Sequence, residues 1–249
     1  MINSFLEKDV GLLGKLITEK YILGEGLLEK GTFFVWMLFA LCAIIGYLIG
    51  SLNFGVIISR LYGADIRTKG SGNAGATNMM RIYGKKASIL TFCGDILKTA
   101  VAVFLCRFLI AGYYGAYFAG LFVILGHAFP LYFNFKGGKG VACISAFCLC
   151  TTPIIFLIEL VIFVAILFSF KMVSLASIMI AIIYPYMLYL FEGAGFSVLL
   201  GFCAGVLVVF LHRQNLVRIF NHTEHKFNLG KKKKQIEEIK ENKDEECQK

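Results

Sequence analysis

The chain has 249 residues, of which 58% are hydrophobic and only 16% are charged, and its mean hydropathy is +0.74. In a soluble domain about a quarter of the residues are charged, so this composition excludes an ordinary soluble protein. It predicts an all-α, polytopic integral membrane protein. The eight cysteines form no CxxC pair and no Cys/His cluster with zinc-binding spacing, so neither a disulfide nor a metal site is predicted. We likewise expect no cofactor and no nucleic-acid partner.

In chain order, residues 1–31 form a mixed-charge extension that suits either an amphipathic helix at the membrane interface or a loosely ordered segment. The first apolar run begins at Thr32, too far along the chain for the core of a cleaved signal peptide. Residues 32–228 form the predicted membrane-embedded domain, and residues 229–249 form a charged cytoplasmic tail that contains KKKK. About seven transmembrane helices are predicted, at 33–59, 87–110, 113–129, 141–151, 154–170, 172–190 and 196–211.

The basic residues between these spans predict the orientation of the protein. If the polar segment 60–86 is cytoplasmic and the chain alternates, most basic residues between the spans face the cytoplasm, including Lys136, Lys139, Lys171, Arg213 and Arg218. The opposite connections, near residues 112, 151–153 and 192–195, hold almost no lysine or arginine. By the positive-inside rule, the amino terminus lies outside and the carboxyl terminus lies in the cytoplasm. All polar, glycine-rich segments then share the cytoplasmic face.

The first of these segments, GSGNAGATN, has the composition of an anion-binding loop. Its glycines permit close backbone approach, so successive N–H groups can converge on one anion. Arg81 follows within one helical turn and can add a bidentate partner. An ordinary flexible loop is the alternative. The candidate residues are Gly70, Ser71, Asn73, Thr77, Asn78 and Arg81.

The second segment, GHAFPLYFNFKGGKGVA, pairs two lysines with three glycines just before an apolar run. If that run is helical, the glycine amides lie at a helix amino terminus, where an anion is favoured. A basic anchor at the cytoplasmic end of a span would explain the lysines but not the glycines. The candidate residues are Lys136, Gly137, Gly138, Lys139 and Gly140.

Two polar pairs lie at the cytoplasmic ends of later spans. His212 and Asn215 are nearly one helical turn apart at the end of the last span, so both side chains can point to one place. Ser174 and Ser177 lie three residues apart on one face of the preceding span. The alternative for both serines is a bond back to a helix carbonyl or a role in helix packing.

Asp95, Lys98, His127 and Glu159 are ionisable residues inside or at the end of the predicted spans. Asp95 and Lys98, three residues apart, can neutralise each other, which indicates a structural pair more than a proton relay. His127, near the end of a span, suits a packing role or a functional one. Glu159 could face a polar interior, and the sequence offers no better account of it.

Taken together and in order, these segments resemble the bacterial acyl-phosphate:glycerol-3-phosphate acyltransferases. The resemblance covers about residues 47–228, and its most specific parts are GSGNxGATN and FKGGKGVA. The stretches that carry it are GSLNFGVIISRLYGADIRTKGSGNAGATNMMRIYGKKA, GHAFPLYFNFKGGKGVA, VSLASI and HRQN.

The resemblance implies a seven-span enzyme of the bacterial cell membrane that acts in phospholipid biosynthesis. It would move a fatty acyl group from acyl-phosphate to the sn-1 hydroxyl of glycerol 3-phosphate, giving lysophosphatidic acid and phosphate. Membrane lipid and a soluble acyl-phosphate-producing enzyme are the further partners that we expect. The residues that match the family's catalytic and substrate-binding positions are Ser71, Arg81, Lys139, Ser177, His212 and Asn215.

Other functions make different demands on the sequence. Acyltransferases that use thioester donors typically present HxxxxD, and the residue five after each of the four histidines is Tyr132, Val217, Phe227 or Gly230. A transporter of phosphorylated metabolites would place polar features near the midplane and often show two similar halves. The chain shows no internal repeat, and its polar motifs cluster at one face. A structural or partner-anchoring protein would explain the hydropathy but not the set of motifs.

Overall fold

The computed structural model describes residues 11–13 and 28–226. Within these ranges the chain is helical and has no β-strand, which confirms the all-α class. Most of the predicted extension at 1–31 and the whole predicted tail at 229–249 lie outside the described residues. The boundaries at 32 and 228 therefore stay predictions.

The helices between residues 28 and 220 fall into two groups. Three of them, α2, α3 and α10, have eight residues each, whereas the others are longer and mostly apolar. A π-helical turn, Leu105–Ala111, continues α4. In chain order the helices are α1 (Leu28–Gly50), α2 (Phe54–Leu61), α3 (Ala76–Tyr83), α4 (Lys85–Phe104), α5 (Gly112–Ala128), α6 (Val141–Thr151), α7 (Pro153–Phe170), α8 (Val173–Glu192), α9 (Phe196–Leu211) and α10 (Arg213–Phe220).

The first predicted span, 33–59, is divided into two helices. Helix α1 ends at Gly50, and α2 begins at Phe54. Asn53 caps α2, because its side-chain oxygen accepts a hydrogen bond from the backbone N–H of Val56 at 3.2 Å. Since the residues on both sides of this break are apolar, hydropathy alone merges the two helices. The span predicted at 33–59 therefore consists of two helices, and Phe33–Leu61 as a whole is long and apolar enough to cross a bilayer.

By length and composition, four helical stretches of the described chain can cross a bilayer: Phe33–Leu61, Lys85–Phe133, Pro153–Phe170 and Val173–Glu192. Helices α9 and α10 together, bent by 57°, make a fifth. The 49-residue stretch Lys85–Phe133 is a hairpin, because Lys98 Nζ lies 3.0 Å from His127 Nδ1. In a straight helix, residues so far apart in sequence would be separated by about 43 Å. The chain reverses near Gly112, whose φ of +62° favours glycine.

Helix α6 is short, and its 11 residues span about 16 Å, roughly half of a bilayer's hydrocarbon thickness. The stretches long enough to cross a bilayer confirm a polytopic membrane fold. The number of seven spans and the orientation of the termini stay predictions.

Small residues bring the helices into close backbone contact. Gly46 and Gly50 of α1 form a GxxxG pattern, and a Cβ at either position would overlap the backbone of α5. Gly201 and Gly205 repeat the pattern in α9, which packs against α8. Because lipid tails are as apolar as the side chains, such close packing is a main source of helix association in a membrane. These contacts hold together the helices whose ends form the candidate site.

Candidate functional site

One cavity of about 420 Å³ brings the predicted polar segments together. All six predicted catalytic residues line it, as do most of the predicted substrate-binding residues. Gly70, Lys136, Gly137 and Gly138 do not belong to its lining. The predicted residues that line the cavity are Ser71, Asn73, Thr77, Asn78, Arg81, Lys139, Gly140, Ser174, Ser177, His212 and Asn215.

The first glycine-rich segment is organised around the buried side chain of Asn78. Its amide nitrogen donates to the carbonyl oxygens of Lys69 at 2.9 Å and Asn73 at 3.0 Å. Its oxygen accepts the backbone N–H of Ser71 at 3.0 Å. Gly70 has a φ of +59°, and a Cβ there would overlap the Asn78 side chain. Asn78 and Gly70 therefore shape the loop, and the loop in turn places Ser71 in the cavity wall.

The second glycine-rich segment is tied to the end of α5. The N–H of Gly137 donates to the carbonyl of Ala128 at 3.0 Å, and the N–H of Gly138 donates to the carbonyl of His127 at 3.1 Å. These two amides are therefore engaged within the protein, in contrast to the expectation that they converge on an anion. Lys136 is exposed outside the cavity.

Lys139 is the basic residue that the second segment directs into the cavity. Its ammonium donates to the side-chain oxygen of Asn215. Burial, together with the positive charges of Arg218 and Arg81, lowers the pKa of Lys139 to about 8, against the opposing effect of the Glu224 carboxylate. A cavity in which three basic side chains repel one another is suited to an anionic ligand, which would relieve that repulsion.

Glu224 is a member of the site that the sequence reasoning missed. Its Oε1 accepts hydrogen bonds from Ser174 at 2.9 Å and from Asn215 at 2.8 Å, and its Oε2 accepts from Arg218 Nε at 2.8 Å. Partial burial acts to raise the pKa of Glu224, but the donors Arg218, Asn215 and Ser174 hold it below its usual value. The only sequence signal was that Glu224 is the single acidic residue between His212 and Lys226, a stretch that is otherwise basic or uncharged.

His212 and Ser177 both bond back to their own helices. The Nδ1 of His212 lies 2.8 Å from the carbonyl oxygen of Val208, which can only accept, so this nitrogen carries the proton. In the neutral ring, Nε2 is then a proton acceptor. The hydroxyl of Ser177 donates to the carbonyl of Val173 at 2.8 Å, as the packing alternative predicts. Its oxygen can still accept a hydrogen bond in the cavity.

Asp95 and His127 also line the cavity and belong to a buried polar cluster. The predicted pair is formed, with Lys98 Nζ 2.7 Å from Asp95 Oδ1. Donor atoms of Asp95, His127 and Cys143 lie within 4.8 Å of one another, a spacing that could hold a metal ion. The Lys98 ammonium already supplies the positive charge at this place, since it also lies 3.0 Å from His127 Nδ1. A metal ion would have to compete with it.

A comparison with protein families matches residues 40–222 to the family described as Glycerol-3-phosphate acyltransferase. Glycerol-3-phosphate acyltransferase 2 of Bacillus cereus is 38% identical over 192 residues, which cover 77% of this chain and 96% of the relative. Glycerol-3-phosphate acyltransferase of Geotalea daltonii is 39% identical over 181 residues, which cover 73% and 93%.

Solved structures of PlsY (YgiH), an integral membrane glycerol 3-phosphate acyltransferase, have a similar fold at 33% sequence identity. The glycerol 3-phosphate form gives a TM-score of 0.70 over 76% of this chain and 96% of that one. The lysophosphatidic acid form gives 0.68 over 76% and 95%. With the family match over most of its length, the chain belongs to the glycerol-3-phosphate acyltransferase family.

Proposed function

We propose that the protein transfers a fatty acyl group from acyl-phosphate to the sn-1 hydroxyl of glycerol 3-phosphate. The acyltransferase class and the glycerol 3-phosphate acceptor follow from the family. The acyl-phosphate donor and the sn-1 position extend the resemblance of the sequence motifs. The observation that carries the proposal is one cavity that combines an apolar wall with the basic side chains of Arg81, Lys139, Arg218 and Lys226.

The basic side chains suit the phosphate groups of both reactants. Arg81, Lys139 and Arg218 line the same cavity, and Ser71 and Thr77 add short polar side chains. Two phosphorylated molecules held side by side bring several negative charges, which would account for this concentration of positive charge.

The apolar wall suits the acyl chain. Phe92 of α4 and Phe163 of α7 line the cavity, and Phe92 is partly exposed on the face of its helix. A fatty chain can therefore extend from the charged part of the cavity toward lipid while its phosphate stays bound. The protein would act in the bacterial cytoplasmic membrane, where a soluble enzyme that makes acyl-phosphate could supply the donor.

The chemistry requires no covalent intermediate with the protein. The sn-1 oxygen of glycerol 3-phosphate attacks the acyl carbon, an ester C–O bond forms, and the bond from the acyl carbon to the phosphate oxygen breaks. Phosphate departs with the electron pair, and the hydroxyl proton goes either to a phosphate oxygen or to Nε2 of His212. An acyl-phosphate is a mixed anhydride with a good leaving group, so positioning and electrostatic stabilisation by the cavity would supply much of the rate.

The two carboxylates of the cavity are poor candidates for the base. Asp95 is paired with Lys98 at 2.7 Å. Glu224 accepts hydrogen bonds from three donors, and its lowered pKa makes it a weak proton acceptor.

The donor is tested with detergent-purified protein, acyl-phosphate and labelled glycerol 3-phosphate. Formation of labelled lysophosphatidic acid without any thioester supports the proposal. Product formed only with acyl-CoA or acyl-carrier protein would show that the donor is wrong. Uptake of glycerol 3-phosphate into proteoliposomes, without any product, would favour a transporter instead.

The proton acceptor is tested with His212→Ala at matched protein levels. A loss of turnover would support Nε2 of His212 as the acceptor, with a general-base contribution typically of about 100-fold or more. Near-normal turnover would exclude the histidine and favour transfer to the phosphate of the donor itself.

A further inference from the structure

A buried cluster in the wall of the cavity surrounds the ammonium of Lys98 with three acceptor atoms. Lys98 Nζ donates to the backbone carbonyl of Leu52 at 2.8 Å and to His127 Nδ1 at 3.0 Å, and it lies 2.7 Å from Asp95 Oδ1. The ammonium therefore makes two hydrogen bonds and one ion pair. The three side chains of the cluster are at most 4% exposed. Such a cluster fixes the position and rotation of the imidazole of His127.

The backbone at the end of α5 holds the second glycine-rich segment, and the imidazole of His127 packs against it. The carbonyl of His127 accepts the N–H of Gly138 at 3.1 Å, and the carbonyl of Ala128 accepts the N–H of Gly137 at 3.0 Å. Gly138 lies so close to the ring that a Cβ there would overlap Nε2 of His127. The next residue is Lys139, whose ammonium reaches Asn215 across the cavity. The connection from the imidazole of His127 to the side chain of Lys139 thus runs through Gly138 alone.

We propose that His127, held by Lys98 and Asp95, is a positioning residue that sets the location of Lys139 in the cavity. The role of Lys139 itself rests on the proposed function, in which its ammonium binds a substrate phosphate. Burying charges within a membrane is costly, and packed apolar side chains would hold α4 and α5 together at lower cost. Hydrogen bonds and ion pairs fix geometry more accurately than apolar packing does, which would explain the cluster if it must place one backbone segment accurately. Accuracy matters here because a misplacement of about 1 Å can cost about 100-fold in rate.

A double-mutant cycle tests whether His127 acts through Lys139. His127→Phe keeps an aromatic ring but removes the acceptor for Lys98, and we expect kcat/KM to fall by about 100-fold. In a Lys139→Ala background the same change should cost less than about threefold, because the residue that it positions is gone. Thr91→Val, on a buried position one helical turn before Asp95 and outside the cavity, is the matched control and should leave kcat/KM unchanged. The cycle uses whichever donor the wild-type protein accepts, so an error in the donor would not affect it.

A second measurement does not depend on activity. Lys139 is labelled with an amine-reactive reagent over a range of pH, and the labelled peptide is quantified by mass spectrometry. The wild-type protein should give an apparent pKa of about 8, and His127→Phe should move this pKa toward the ordinary lysine value as Lys139 leaves its buried place. Besides His127, the charged or titratable groups that share the cavity with Lys139 are Arg81, Asp95, His212, Arg218, Glu224, His225 and Lys226, and His127→Phe alters none of them.

The outcomes separate positioning from a purely structural role. Equal losses in both backgrounds, full activity of His127→Phe, or an unchanged labelling pKa would each overturn the proposal. If His127→Phe does not accumulate, the same measurements are made with the paired change Asp95→Asn and Lys98→Met, which removes both charges together. If Lys139→Ala has no measurable activity, the labelling pKa decides.

Discussion

The charge on Lys139 should be controlled by Glu224, so removing the Glu224 charge should move the pH dependence of activity. Only the protonated ammonium binds a phosphate strongly, so activity should be full below the pKa of Lys139 and fall as the pH rises through about 8. Glu224→Gln removes the negative charge that favours the protonated form. The fall in activity should therefore begin at a lower pH.

The size of the shift follows from the arrangement around Asn215. Lys139 and Glu224 bind opposite ends of the same side-chain amide. Across that amide the two charges are about 7 Å apart, which corresponds to about 2 kcal/mol at an effective dielectric constant of about 20. After screening by water and ions roughly half remains, which is a shift of about one pKa unit. The pH at which activity has fallen to half should thus move from about 8 in the wild type to about 7 in Glu224→Gln.

The measurement is the ratio of kcat/KM between variant and wild type across the pH range. The ratio cancels spontaneous hydrolysis of the donor and ionisation of the substrate phosphates. It is also insensitive to a pH-independent fraction of inactive protein. Arg218→Gln is the opposing variant, because it removes a positive charge that lowers the pKa of Lys139. In this variant, activity should begin to fall at a higher pH than in the wild type. If the pH at which activity falls is unchanged in both variants, or moves in the same direction in both, the electrostatic reasoning is refuted.

The remaining predictions concern the phosphate-binding cations and the helix packing. Arg81→Ala and Lys139→Ala should each lower kcat/KM by about 100-fold or more at normal expression, whereas Lys136→Ala, outside the cavity, should retain activity. If Lys136→Ala is as damaging as Lys139→Ala, the assignment of the cavity lysine is wrong. Gly50→Ala should lower the free energy of unfolding by about 1 to 3 kcal/mol, since a Cβ there would overlap a carbonyl of α5, whereas Gly195→Ala, whose Cβ would meet only Ser197 Oγ at 3.9 Å, should not. Equal melting temperatures for the two variants would contradict the close packing of α1 and α5.

Composition and hydropathy were sufficient to predict the membrane class, because apolar runs long enough to cross a bilayer seldom occur in soluble proteins. They could not show the break between α1 and α2, since that break depends on the cap formed by Asn53 and its flanks are apolar. They also could not show that the amides of Gly137 and Gly138 are engaged by the end of α5. Such bonds depend on tertiary contacts with residues earlier in the chain.

The motif resemblance selected side chains that do meet in one cavity, although they come from segments far apart in the chain. The sequence analysis did not find Glu224, because its role depends on its contacts with Ser174, Asn215 and Arg218 and not on its place in a motif. The Asp95 and Lys98 pair was visible from its spacing, but its link to the cavity through His127 required coordinates.

The apolar wall formed by Phe92 and Phe163 has a kinetic consequence. A donor that enters from the lipid side is concentrated by its partition into the surrounding amphiphile, whereas glycerol 3-phosphate arrives from bulk water. With the proposed acyl-phosphate donor in mixed micelles, the rate should follow the mole fraction of that donor in the micelle, so that added detergent slows the reaction by surface dilution. The dependence on glycerol 3-phosphate concentration should be unaffected by the same addition.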